Sequence, residues 1–179
     1  MKLLRTIQFD SSDAFVFERA AAPGEWAVSG AFAFLSQDIP ALRGRARASF
    51  RAGFLGLSSL GRSTLVQIVD ATEQDRAAAV ELLAAQLVAR FGAPDLASAH
   101  VASEEEISFA ASLCDHPHDT LIAVRRSFED GAMREVFRTL RPRGERKPMR
   151  AFSFLEVEGE DESDESVNLV RLARKKLDE

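Results

Sequence analysis

Cys114-Asp115-His116-Pro117-His118-Asp119 gathers the only cysteine and two of the three histidines of the chain. Thiolate, imidazole and carboxylate are the groups zinc takes as ligands. In an extended segment His116 and His118 could ligate together, with Cys114 or Asp119 completing the set. A metal-dependent enzyme is the chemistry that follows. The plainer reading is a helix-to-strand loop. The sequence holds no second ligand cluster, and Cys114 continues the apolar stripe of Ile107 and Ala110 on a predicted helix. A thiol on such a stripe packs as a small hydrophobe. No feature brings the thiol and an imidazole together as a nucleophilic pair.

The second candidate is a set of arginines. Asp130-Gly131 between two strand-like runs is the signature of a two-residue hairpin turn. It sets a register in which Glu129 faces Ala132, Phe128 faces Met133, Arg126 faces Glu135, Val124 faces Phe137 and Ile122 faces Thr139. Alternation then places Arg125, Arg134 and Arg138 on the face opposite the core, around Val136. Three guanidinium groups in one patch suit a phosphate or carboxylate, because each presents a planar fork. The plainer reading is a solvated outer face, neutralised by the acidic stretch 156–165. Arg43, Arg47 and Arg51, spaced by four, would line one side of a helix. They could meet an acidic partner or RNA, or form a solvated face. Gly56-Leu57-Ser58-Ser59-Leu60-Gly61-Arg62-Ser63 echoes a P-loop with Arg in the lysine place. A working P-loop follows a strand and opens a helix, and this segment does the reverse.

The elements that must carry these groups form one domain. A chain of 179 residues with 46% hydrophobic residues can bury a core without staples. One cysteine allows no internal disulfide, which suits a reducing compartment, and cytoplasmic residence is the expectation. No apolar run approaches a membrane span. The net charge of −5 argues against broad nucleic-acid binding, although residues 124–150 hold eight Arg and one Lys against four acids, a basic flank that leaves an RNA-binding module as a third reading. Residues 156–165 hold seven acids and no base, and the absence of tyrosine excludes chemistry that needs a phenol.

Strands are predicted at Leu3–Phe9, Ala14–Phe17, Trp26–Phe34, Ser63–Val69, Leu121–Phe128, Met133–Leu140 and Ala151–Val157. A helix is expected from Asp38, with Pro40 in its first turn, to near Gly53. The clearest helix opens at Thr72, runs through Val80, Leu83, Leu87 and Phe91, and stops at Gly92 and Pro94. Ser103 with Glu106 reads as the capping box of another. Residues 159–179 read as an acidic linker and a short amphipathic helix, Val167–Leu177. Strands run in groups, which favours an α+β domain over 1–158. Its mainly antiparallel or mixed sheet would have about six or seven strands, with three main helices and the terminal helix beyond the linker.

Met1-Lys2-Leu3-Leu4-Arg5-Thr6-Ile7, Phe15-Val16-Phe17-Glu18-Arg19-Ala20, Gly24-Glu25-Trp26 and Ser108-Phe109-Ala110-Ala111-Ser112-Leu113-Cys114-Asp115-His116-Pro117 resemble a small bacterial family of uncharacterised proteins. The resemblance covers most of the chain and implies no activity, so no residue role is carried over from it. The residues themselves favour a non-catalytic accessory or binding protein. Its contact surfaces would be the arginine face and the acidic tail, and its partner a protein, an anionic small molecule or a second copy.

Overall fold

A computed structural model describes residues 1–8, 11–142 and 155–158. Its strands are β1 (Lys2–Thr6), β2 (Trp26–Val28), β3 (Phe54–Gly56), β4 (Arg62–Ser63), β5 (Leu65–Asp70), β6 (Leu121–Glu129), β7 (Ala132–Pro142) and β8 (Leu155–Glu158). They form one eight-stranded sheet in the order β4-β3-β2-β1-β5-β6-β7-β8. Every neighbouring pair is antiparallel. The helices are α1 (Ser12–Val16), α2 (Gly44–Ala52), α3 (Glu73–Arg90) and α4 (Leu96–Ser112). The expected α+β class with an antiparallel sheet is the observed one. The terminal helix expected at Val167–Leu177 lies outside the described residues.

The core forms where α3 and α4 pair and lie on the sheet. Leu4, Val28, Phe54, Val66, Ile68 and Ile122 from strands meet Val80, Leu83 and Leu87 of α3 and Ala99, Ile107 and Ala110 of α4. Leu83 and Ile68 are fully buried, and each such side chain contributes about 1.5–3 kcal/mol. The periodic stripe read in α3 is the stripe that is buried. Its capping box is complete: Asp75 N–H donates to Thr72 Oγ1 at 3.0 Å, and Thr72 N–H donates to Asp75 Oδ2 at 2.9 Å. Gly92 stops the helix at φ +76°, a conformation that costs glycine nothing.

Four predicted elements come out differently. Ala14–Phe17 lies in and beside helix α1, not in a strand. Asp13 in its first turn accepts hydrogen bonds from the Thr64 amide and hydroxyl, and only Phe17 of its aromatic side chains is buried. The strand opening at Trp26 ends at Val28, because Gly30 turns the chain at φ +70°. A Cβ there would lie 2.4 Å from Leu55 Cβ, so the chain continues as a 3-10 turn over Ala31–Phe34. The helix expected from Asp38 breaks after a short 3-10 turn, Ile39–Ala41. Arg43 is extended before α2 begins. Finally, α4 starts a full two turns before Ser103, capped by Asp95, whose Oδ1 accepts from Ser98 N–H at 2.7 Å. Ser103 therefore sits inside the helix, and its hydroxyl is buried without a hydrogen-bond partner.

Candidate functional site

The hairpin of β6 and β7 has the register the Asp130-Gly131 turn dictates, from Glu129 opposite Ala132 to Ile122 opposite Thr139. Arg125 faces Val136, Arg134 faces Ser127 and Arg138 faces Ala123. All three arginines are exposed, and Val136 between them is 48% exposed. The inward face carries Ile122 and Val124, both buried, and Arg126, which is 1% exposed.

Arg126 is the largest fully buried side chain among the described residues, and every one of its nitrogens donates a hydrogen bond. Nε donates to Glu135 Oε1 at 2.7 Å, Nη1 to the carbonyls of Phe50 and Gly53 at 3.0 and 2.9 Å, and Nη2 to the Ser29 carbonyl. Phe50 and Gly53 close the C-terminal end of α2, where unpaired carbonyls favour a cation. Arg62 joins the same end. Its Nη1 donates to Gly53 O at 3.2 Å and to Gly30 O at 3.3 Å, and its guanidinium lies 4.6 Å from the Phe34 ring centre. Burial, aided by Arg126, lowers Arg62 to about 9, so it stays charged at neutral pH. Burial also lowers Arg126, against the opposing pull of Glu135. Two buried guanidiniums thus fix one end of α2 against β6.

That anchoring builds a groove. α2 and the turn before it form one wall through Ile39, Pro40, Arg43, Arg47 and Arg51. The other wall is β6 through Arg125, Ser127 and Phe128, with Phe50 and Arg126 at its base. The cavity measures about 630 Å³, within the range of ligand sites. No carboxylate among the described residues lines it. Among the described residues none of Arg43, Arg47, Arg51 or Arg125 forms an ion pair. Arg43 instead donates to the carbonyls of Pro40 and Leu42 at 2.6 and 2.8 Å. The structure therefore joins two arginine sets that are more than seventy residues apart in the sequence. Arg134 and Arg138 lie on the neighbouring strand, continuing the basic surface from Arg125. No sequence signal announced the groove, because it depends on how α2 docks.

The Cys–His segment is spread out. Cys114 is buried, with its thiol 3.3 Å from the Ala110 carbonyl, and burial pushes it up to about 11, which keeps it a thiol. The His116 carbonyl accepts a hydrogen bond from Lys2 Nζ at 2.6 Å. His118 and Asp119 do meet, with Nδ1 3.0 Å from Oδ1, and Asp70 lies 3.7 Å from His118 Nε2 at the surface. Among the described residues no three His, Cys, Asp or Glu side chains are placed to hold a metal ion. The donor set proposed from Cys114, His116, His118 and Asp119 is not assembled.

The glycine-rich segment carries its own anion. Glu25 is buried, and its Oε2 accepts the amides of Ser58 and Ser59 at 2.9 and 2.8 Å while Oε1 accepts that of Ala22 at 2.7 Å. A Cβ on Gly56 would lie 2.7 Å from that carboxylate. The loop amides that a phosphate would need are thus occupied by a side chain, and Arg62, in the P-loop lysine place, points into the core.

Residues 1–155 match the model of a family of unknown function (DUF6505), and the chain belongs to that family. No curated protein and no solved structure matches it.

Proposed function

We propose that this family member is a non-catalytic binding protein whose groove between α2 and β6 takes an anionic ligand. One observation carries the reading: four exposed arginines share a concave surface whose lining, among the described residues, holds no acid. Like charges held together in a cleft raise the local potential, and an anion relieves it. Guanidinium forks hold carboxylate or phosphate oxygens two at a time. The groove also has a rigid base, since Arg126 is held by four partners and cannot swing out. A single cysteine, kept reduced in the core, supports cytoplasmic residence.

The test is calorimetric titration of the chain with citrate and with inorganic phosphate at low salt, repeated with Arg47→Gln/Arg51→Gln. Binding should weaken about tenfold or more in the double variant, and should weaken with added salt in the parent. Equal binding by parent and variant, or none by either, would refute the reading.

A further inference from the structure

We infer that the groove's ligand is an extended acidic peptide of a partner protein, which adds a strand to the edge of β6 that no described strand pairs with beyond Ala123. This rests on the anion-binding reading above and gives it a partner. β5 pairs with β6 only from Leu121 to Ala123, where Leu65, at the start of β5, faces Ala123. β7 pairs with β6 all the way to Glu129. From Val124 to Glu129 β6 therefore has a strand on one side alone among the described residues, and the groove runs along its other side. The two-residue turn makes Glu129 and Ala132 the closing hydrogen-bonded pair. By alternation, Arg126 and Phe128 direct their backbone N–H and C=O groups toward the groove. An edge of this kind accepts a strand through main-chain hydrogen bonds.

The facing wall fits the same ligand. Arg47 and Arg51 lie four residues apart on α2, about 6 Å along its axis, and Arg43 is the extended residue just before the helix. Alternate side chains of a strand are about 6.6–6.8 Å apart. A peptide with an acid at every second residue would set its carboxylates against successive arginines. Its intervening side chains could cover Ile39 and Phe128, the latter 39% exposed. A peptide can meet arginines on both walls at once, Arg47 and Arg51 on α2 and Arg125 on β6. A nucleic acid would match the charge but has no use for a strand edge. β8, which holds the first residues of the chain's own acidic stretch, lies beyond β7 on the far side of the hairpin from this edge.

The experiment is fluorescence anisotropy on the full chain with three labelled probes. These are a short peptide of alternating Glu and Val, the same peptide with Pro for Val, and a single-stranded oligo(dT) of equal charge. Proline keeps the peptide extended but removes half of its main-chain donors. The Glu-Val peptide should bind about tenfold or more tightly than either other probe, and Arg47→Gln/Arg51→Gln should weaken it. If all three bind alike and the double variant weakens all of them, the strand assignment fails and the anion site stands. If the double variant changes none of them, or nothing binds, both fail. The same titration is run on a full chain with Glu160, Asp161, Glu162, Asp164 and Glu165 amidated. Peptide binding seen only in that variant would overturn the partner assignment in favour of the chain's own tail.

Discussion

Arg62 and Arg126 meet at the end of the helix that carries Arg47 and Arg51, and the two pairs are used differently. The buried pair gives its donors to the carbonyls of Ser29, Gly30, Phe50 and Gly53, and to Glu135. A guanidinium out of water is tolerated only when its protons are taken up this way. Arg47 and Arg51 remain in water at the rim of the groove, with no carboxylate partner among the described residues. A count of positive charges would treat the four as equal. Donor availability separates them, since only the exposed pair can still hold a ligand, while the buried pair holds the helix that presents it.

The hardest test of that division is substitution on each side of it. Arg126→Met would leave Glu135 without its buried cation and the carbonyls of Ser29 and Phe50 without their guanidinium donor, while Gly53 would keep Arg62. Breaking a buried ion pair from one side costs about 3–5 kcal/mol, and urea unfolding should show a loss of that size. Arg47→Gln touches no such network and should stay within about 0.5 kcal/mol of the parent. If the two variants unfold at the same urea concentration, the buried arginine is not structural and the comparison collapses.

A second acid sharpens the contrast from the buried side. Glu106 of α4 has an oxygen buried without a partner. Burial, helped by Glu135 and opposed by Arg126, raises it from 4.5 to about 7. The folded protein thus keeps a proton that the unfolded chain releases as pH rises from about 4.5 to about 7. Glu106's contribution to stability is full below 4.5, declines across that window and is flat above it. Glu106→Gln removes the titration and nearly keeps the shape. Subtracting its stability-versus-pH curve from the parent's should show a decline approaching about 3 kcal/mol. A difference that does not change with pH between 4 and 8 would show that Glu106 is solvated and plays no part in the charge balance around Arg126.

What the sequence made legible is what local rules decide. The Asp130-Gly131 turn gave the hairpin register residue by residue, and with it the inward Arg126–Glu135 pair and the outward Arg125, Arg134 and Arg138. Helix α3 was legible because its stripe and capping box agree. Elsewhere tertiary contacts overrode local pattern. The Asp13 side chain reaches Thr64, fifty-one residues away, and holds a helical turn where alternation suggested a strand. Gly30 carries no local signal, because its need for a left-handed turn comes from Leu55 packed against it. Arg62 and Glu25 fill opposite sides of the β3–β4 region, one in the core and one under the loop, so a phosphate-binding motif on paper became a self-contained turn. The groove was the least legible feature, since it arises only where α2 comes to rest beside β6.

The smallest expected effect separates two starts for one helix, a turn before the buried acid. Ser103 and Glu106 have the spacing of a capping box, yet α4 begins at Leu96 and Asp95 caps it. Hydrogen bonds to the Ser98 amide hold the Asp95 carboxyl below its ordinary value, as expected of a carboxylate at a helix start. Asp95→Ala should therefore lower the melting temperature. Ser103→Ala removes a fully buried hydroxyl that has no partner. An unpaired buried hydroxyl carries a desolvation penalty and returns nothing, so this variant should be as stable as the parent or slightly more so. Thermal melts of the two variants decide the matter. A loss at Ser103 equal to that at Asp95 would mean that the helix starts at Ser103 after all. It would also mean that Glu106 faces the helix start and not the arginines beneath α2.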